Sequence, residues 1–270
     1  MQVSDDRVMA VQVCALWADT GGMKAESSIR TTRPASLARP PVAGGAQAVV
    51  PVGLQLEFHT DLICPWCYVF KRRLDQVLGS VHAPVQISWI WQPLFPDLPA
   101  RGAPFSDWIR RHFREYSNPQ QVFNQLQLAA LREELSLNLL TLGHLPHPEP
   151  AWRLMLVAEE QGVQHDLGEL IYRALFQENM DISRWEVLRS LALCLGMDRR
   201  SIDSARDDAR IGRILQAQRA WSRQASPPPA PPVLTINRAW EIRGMVSRDV
   251  LLRHFDRALF DQDERDLPCC

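Results

Sequence analysis

The sequence is short of cysteine, of net charge and of long apolar runs, and each shortage excludes a class of protein. Six cysteines in 270 residues are too few for a disulfide-stapled secreted scaffold, so packing must provide the stability. Lys and Arg number 30 against 31 acidic residues, which gives no basic field for a nucleic acid or an anionic membrane. No apolar run approaches the ~20 residues of a membrane helix. We therefore expect a soluble globular protein with neither kind of partner.

The first part of the chain shows no regular pattern. Residues 1–53 are rich in Ala, Arg, Pro, Gly and Ser, without a helical or strand period, and we predict a disordered extension. Its apolar stretch, Val8 to Ala18, follows two acidic residues and has Leu16 where a signal peptide needs a small residue. We therefore favour a cytoplasmic location, with the periplasm as the alternative.

The rest of the chain reads as two α/β segments separated by a helical one. Residues 54–94 form strand, helix and strand, and residues 227–260 form a hairpin and a helix. Between them, residues 95–226 are almost wholly helical in pattern. The predicted fold class is α/β, with the order βαβ…ββα. It has a discontinuous α/β domain, an α-helical insertion domain and a flexible tail at 261–270.

One motif carries chemistry, the Cys64-Pro65-Trp66-Cys67 tetrapeptide where the first strand passes into a helix. Pro65 suits the first helical position. Cys64 then lies beside unpaired N–H groups at the positive end of the helix, which stabilises the thiolate that attacks disulfides. Cys67 lies one turn further on. We predict an exposed nucleophile, Cys64, and a recessed, less acidic resolving thiol, Cys67.

The alternatives for this pair are structural. Two buried structural cysteines would share the spacing, and a zinc site would need two more ligands that no second CxxC or HxxxH provides, so no metal is expected. Asp61 is a candidate proton acceptor for the resolving thiol, or simply a cap or turn acid. Lys71, Arg72 and Arg73 add positive potential at the thiols, or form a solvated helix face.

The segment from Phe58 to Leu74, Phe-His-Thr-Asp-Leu-Ile-Cys-Pro-Trp-Cys-Tyr-Val-Phe-Lys-Arg-Arg-Leu, resembles the active-site segment of the DsbA-like family. The similarity is nearest to its FrnE-type branch of dithiol–disulfide isomerases. The resemblance implies a thioredoxin-like fold interrupted by a helical domain, with Cys64 and Cys67 as the catalytic pair and Pro65 and Trp66 in the active-site loop. It also implies a cis-proline opposite the thiols, at Pro232.

The sequence departs from the family pattern at two places. Pro231 precedes the expected cis-proline where a residue with an N–H group is usual, so the clasp on a substrate backbone is expected to be weaker. The proline run around it would also suit a stiff linker between domains. Trp152 stands where His is usual in the branch, which puts the role of that position in doubt.

Three functions compete at this point. The first is a thiol–disulfide oxidoreductase or isomerase acting on a disulfide or dithiol substrate, either a protein or a small molecule. It needs no tightly bound cofactor, and glutathione fits as a co-substrate. The second is a glutathione-dependent isomerase of the 2-hydroxychromene-2-carboxylate type, which an intact CxxC argues against. The third is a non-enzymatic binding module that the thiol pair switches. Cys269 and Cys270 either relay electrons to the centre or form an incidental tail.

Overall fold

The computed structural model describes residues 29–30, 53–112, 119–222 and 230–263. The strands are β1 (Ile29–Arg30), β2 (Leu54–Thr60), β3 (Val85–Trp91), β4 (Ala103–Pro104), β5 (His144–Leu145), β6 (Val233–Ile236) and β7 (Trp240–Arg243). The first helices are α1 (Pro65–Leu78), α2 (Phe105–His112), α3 (Pro119–Arg132) and α4 (Glu149–Glu160). They are followed by α5 (Gln164–Phe176), α6 (Trp185–Cys194), α7 (Arg199–Ala205), α8 (Ala209–Ser222) and α9 (Arg248–Asp263).

The main sheet has the strand order β1-β3-β2-β6-β7. Strand β2 runs parallel to β3, as the intervening helix α1 requires, and antiparallel to β6. Strands β6 and β7 form the predicted hairpin, whose turn residues Asn237 and Arg238 both have positive φ angles, as in a type I′ turn. The βαβ and ββα units therefore meet in one sheet, and the predicted thioredoxin-like fold with a helical insertion is confirmed.

The core lies on one face of this sheet. Alternate residues of β2 and β3 are buried, because successive side chains of a strand point to opposite faces. Phe58 packs against Phe70 of α1 at 5.7 Å between ring centroids and meets Trp89 edge-on at 5.1 Å. Helix α9 packs beside α1. The first residues of the opposite face, Gln55 and Glu57, are only half-buried.

The helical insertion closes over the edge of the sheet. Helix α4 packs against α5, α6, α7 and α8, while α5 contacts α1 and α8 contacts β3. Two of its side-chain amides reach the outer edge of β3: Gln164 accepts a hydrogen bond from the Trp89 N–H at 3.3 Å, and Gln218 accepts one from the Trp91 N–H at 3.2 Å. The short strands β4 and β5 also pair within this segment, which is predicted from the sequence to be almost wholly helical.

The ends of the chain add two details. Ile29 and Arg30 pair with β3 although they belong to the segment predicted to be disordered, and α9 continues to Asp263, three residues into the predicted tail. Most of those two segments, including Cys269 and Cys270, lies outside the described residues. Among the residues that are described, no helix is long and apolar enough to cross a membrane.

Candidate active site

The first cysteine of the motif is the N-cap of α1. Cys64 has extended backbone angles, Pro65 opens the helix, and the Cys64 sulfur accepts a hydrogen bond from the Cys67 N–H at 3.4 Å. The same N–H also donates to the Cys64 carbonyl oxygen at 3.1 Å, so the sulfur and this oxygen share one of the N–H groups at the start of the helix. The structure therefore puts the Cys64 sulfur at the positive end of the helix, with Cys67 one turn further on. Both are free thiols.

The prediction that Cys64 is exposed is wrong. Cys64 is 1% exposed and Cys67 0%, so both thiols are buried. The cover over Cys64 includes a contact that is remote in sequence: its sulfur lies 3.8 Å from the carbonyl oxygen of Pro231, which is itself buried. Pro65 and Trp66 are half-buried and are the accessible residues of the loop. Access to Cys64 is therefore narrow, whereas the recessed position predicted for Cys67 is what the structure has.

The proline pair stands beside the thiols at the start of β6. The peptide bond between Pro231 and Pro232 is cis. Pro232 leads directly into Val233, which lies opposite His59 near the end of β2. The carbonyl oxygen of Pro232 accepts a hydrogen bond from Gly244 N–H at 2.8 Å. These strand contacts fix the loop, and they bring Pro231 against Cys64.

The two thiols sit in different electrostatic surroundings. Burial, and then the adjacent Cys64 sulfur, raises the pKa of the Cys67 thiol well above its ordinary value. The Thr60 hydroxyl and the backbone of Asp61 oppose that rise by supporting the thiolate. Cys67 therefore needs a base before it can attack, as expected for a recessed resolving thiol.

Asp61 is a buried acid three residues before Cys64, and its backbone carbonyl accepts a hydrogen bond from the Cys64 N–H at 3.0 Å. It is 1% exposed, and burial raises its pKa to about 7. One carboxyl oxygen accepts a hydrogen bond from Leu94 N–H at 2.8 Å and the other accepts from Ile63 N–H at 3.4 Å. No ion pair joins Asp61 to any residue that the structure describes. A carboxyl group of this kind changes its protonation near neutral pH.

Two tryptophans border the Asp61 carboxyl group. The rings of Trp91 and Trp152 stack at 6.2 Å with 19° between their planes, and both side chains are buried. Their indole N–H groups lie near enough to lower the pKa of Asp61 against the effect of burial, although neither makes a hydrogen bond of ordinary geometry. Position 152, where the sequence departs from its relatives, therefore lies beside the candidate proton acceptor.

Sequence reasoning missed a pair of hydroxyl groups in this site. Thr60 and Tyr172 are both fully buried, and their hydroxyl oxygens are 2.6 Å apart. Tyr172 also donates a hydrogen bond to the carbonyl oxygen of Asp61 at 3.2 Å. Thr60 could have been identified as a site residue from the sequence, because it directly precedes Asp61. Nothing local marks Tyr172, because it comes from α5 of the insertion domain.

The basic residues of α1 have a different role from either of those considered. Lys71 is buried and forms ion pairs with Asp75 at 2.9 Å and with Glu169 at 2.6 Å. Arg73 pairs with Glu133, which is also buried, at 2.8 Å. Neither cation belongs to a solvated face, and each is held by carboxylates. These side chains join α1 to the helical insertion domain.

The sequence also makes predictions about Cys194 and about metal binding. The apolar run from Leu191 to Leu195 predicts a core position for Cys194, but this residue is exposed at the end of α6 and is disulfide-bonded. Its neighbours Leu191 and Ala192 face the core instead. In the described part of the chain, no group of three or more His, Cys, Asp or Glu residues is arranged to hold a metal ion.

Comparison with known proteins identifies the family. Residues 55–226 match the model of the DSBA-like thioredoxin domain. The chain belongs to this family. The match begins in β2, includes the CxxC helix and extends through the helical insertion, so the helices between the two halves of the sheet are part of the family's architecture.

Individual relatives are distant in sequence but cover most of both chains. YwbO, an uncharacterized protein of Bacillus subtilis, is 21% identical over 212 residues, which are 78% of this chain and 98% of that protein. A probable DsbA oxidoreductase from Streptomyces coelicolor superposes with a TM-score of 0.64 at 22% identity, covering 80% of this chain and 93% of that one. The cytosolic disulfide reductase DsbM from Pseudomonas aeruginosa, solved with GSH, gives 0.50 at 15%, with 79% and 100% covered. These structural similarities establish the fold.

Proposed function

We propose that the protein is a thiol–disulfide oxidoreductase or isomerase in which Cys64 is the nucleophile and Cys67 the resolving thiol. The observation that supports this most is the position of the Cys64 sulfur, which caps α1 and accepts the N–H of Cys67 at 3.4 Å. A helix N-terminus favours the thiolate form. The second free thiol lies within the same turn, and membership of the DSBA-like family agrees with this chemistry.

The reaction follows from these two sulfurs. The Cys64 thiolate attacks one sulfur of a substrate disulfide, forms a mixed disulfide and expels the other sulfur as a thiolate. Cys67 then loses its proton and attacks the Cys64 sulfur. The Cys64–Cys67 disulfide forms and the second substrate thiolate leaves. The substrate gains two electrons and two protons, and the protein loses them. The reverse sequence oxidises a dithiol.

We assign the proton acceptor in the second step to Asp61. The high pKa of Cys67 means that the thiol needs a base at neutral pH, and Asp61 is a buried acid whose backbone contacts that thiol. Its pKa of about 7 allows it to take a proton from the thiol and to release that proton afterwards. The ionised carboxylate is the active form, so the rate of resolution rises with pH through about 7 and then levels off.

The substrate is a disulfide or a dithiol, and glutathione is a candidate co-substrate. DsbM, which shares the fold, is described as a cytosolic disulfide reductase and was solved with GSH. Whether this protein oxidises or reduces in its compartment depends on the reduction potential of the Cys64–Cys67 couple. Equilibration with mixtures of reduced and oxidised glutathione measures that potential.

Trapping the intermediate tests the assignment of the two thiols. A Cys67→Ser variant should accumulate a mixed disulfide at Cys64 when it is treated with oxidised glutathione, as read by mass spectrometry. The matched Cys64→Ser variant, which keeps the buried Cys67, should accumulate none in the same time. If Cys64→Ser forms the adduct as fast as Cys67→Ser, the proposed roles are wrong.

A further inference from the structure

The backbone around the two prolines offers very little to a substrate. An extended peptide adds to a sheet edge through the N–H and the C=O of the same residue, which face outward together. Neither Pro231 nor Pro232 has an N–H group. The Pro232 carbonyl is already taken by the Gly244 N–H at 2.8 Å. Only the Pro231 carbonyl remains, and it lies 3.8 Å from the Cys64 sulfur.

The neighbouring strand leaves no substitute for this missing edge. The next residue, Val233, is paired on both sides, with His59 of β2 and with Arg243 of β7. Across the thiols, the Leu94 N–H is bound to the Asp61 carboxylate and the Gln92 N–H to the Thr60 carbonyl. These three residues, Val233, Leu94 and Gln92, therefore use their backbone groups within the protein.

The burial of Cys64 restricts the partner further. Exchange requires a substrate sulfur to approach the attacking sulfur in line with the bond that it breaks. Since 1% of Cys64 is exposed, a small disulfide has fewer atoms of its own in the way of that approach than a disulfide on a broad protein surface has.

From these contacts we infer that the substrate of this centre is a low-molecular-weight disulfide, of the size of glutathione disulfide or smaller, and not an extended polypeptide segment. The inference rests on the proposed function and narrows its substrate. The products are two small thiols and the Cys64–Cys67 disulfide. Two equivalents of a second small thiol return this disulfide to the dithiol and leave as their own disulfide.

A pair of substrates with identical sulfur chemistry tests the inference. One is the symmetrical disulfide of N-acetylcysteine methylamide. The other is the symmetrical disulfide of a peptide in which three further residues flank the cysteine on each side. The reduced protein is mixed with each, and formation of the Cys64–Cys67 disulfide is followed by stopped-flow fluorescence. We expect the rate with the longer substrate to be at most about three times the rate with the shorter one. If the longer one is tenfold faster or more, the inference is overturned.

A Pro231→Ala variant provides the complementary test, because it places an N–H group beside the carbonyl that faces Cys64. One added hydrogen bond changes a rate by about three- to tenfold. The ratio of the rates of the longer to the shorter substrate should therefore rise by about that factor. The matched control is Pro84→Ala, which adds an N–H group just before β3, at the opposite end of the sheet, and should leave the ratio unchanged. An unchanged ratio in Pro231→Ala would contradict the argument.

Two further outcomes keep the tests separate. If Pro231→Ala does not fold, N-methylation of the longer substrate next to its cysteine replaces it: the wild-type rate should change by less than about twofold, and a tenfold loss would show that the backbone is clasped after all. If the wild-type protein reacts with neither substrate faster than free cysteine does, the proposed function fails, and not merely its narrowing to small disulfides.

Discussion

Two buried aspartates at opposite ends of α1 differ in almost everything except their burial. Asp61 precedes the helix and Asp75 lies in its last turn, and they are 1% and 4% exposed. Burial raises the pKa of Asp61 to about 7. Although burial opposes it, Lys71 and then His165 hold the pKa of Asp75 at about 2. The difference shows that burial alone does not set the protonation of a carboxyl group; a charged partner does.

The two surroundings correspond to two roles. Asp75 is 2.9 Å from Lys71 and 2.7 Å from His165, and Lys71 continues to Glu169 on α5, so this cluster joins the CxxC helix to the insertion domain. Asp61 has hydrogen bonds from N–H groups and no paired cation among the described residues. Its proton is therefore free to move near neutral pH, whereas the charge of Asp75 is fixed.

The largest expected effect comes from removing the shared cation. Lys71→Met leaves the buried Asp75 and the half-buried Glu169 carboxylates without their shared cation, and breaking a buried ion pair on one side costs about 3–5 kcal/mol. Urea unfolding at pH 7 measures the loss. The control is Arg72→Met, since Arg72 is half-exposed, lies 3.9 Å from Glu169 and should contribute about 1 kcal/mol or less. A loss below about 1 kcal/mol in Lys71→Met would mean that the cluster does not hold the domains together.

The Asp75 pairing also predicts how stability changes in acid. Its pKa is lowered from 3.8 to about 2 in the folded protein, so the stabilisation is fully present above pH ~4. It is lost as the pH falls toward about 2. An Asp75→Asn variant should lose this part of the acid dependence, as urea unfolding between pH 5 and pH 2.5 would show.

Asp61 should behave in the opposite way. Its pKa is raised from 3.8 to about 7, so ionising the carboxyl group costs stability that is absent in acid and increases as the pH rises toward 7. Asp61→Asn removes that cost and should stabilise the protein at pH 8 by up to about 4 kcal/mol, while slowing resolution by Cys67. Near pH 4 the gain should almost disappear. A variant that is equally destabilised at both pH values would show that Asp61 is an ordinary structural acid.

The smallest effect concerns the tryptophan beside Asp61. Trp152→Phe keeps a ring against Trp91 but removes an indole N–H that supports the carboxylate. The midpoint of the pH profile for Cys67 resolution should therefore move up, by about half a unit, which is on the order of 0.7 kcal/mol. Trp185→Phe is the control, because Trp185 opens α6 and is not among the groups that shift the pKa of Asp61. A downward movement of the midpoint in Trp152→Phe would contradict the assignment.

What the sequence predicted well is local. The strand, Pro65 and the helical stripe put Cys64 at a helix start, and the Asn237-Arg238 turn predicted the hairpin; all of these depend on neighbouring residues. The burial of Cys64 did not follow, because Pro231 reaches it from the far end of the chain. The ion pair of Lys71 with Glu169 was not predicted for the same reason, since Glu169 is on a helix of the insertion domain.

The hydrogen bonds from β3 to the side-chain amides of the insertion domain have a consequence for self-association. An open strand edge is a template on which another chain can add, and proteins usually blunt it with charge, a bulge or a further strand. Here Gln164 and Gln218 engage the N–H groups of Trp89 and Trp91, while β1 pairs with the edge at Val85 and Gln86. The helical insertion therefore also protects the sheet against edge-to-edge aggregation, and a change of either glutamine to leucine would leave the N–H group of Trp89 or of Trp91 without its partner.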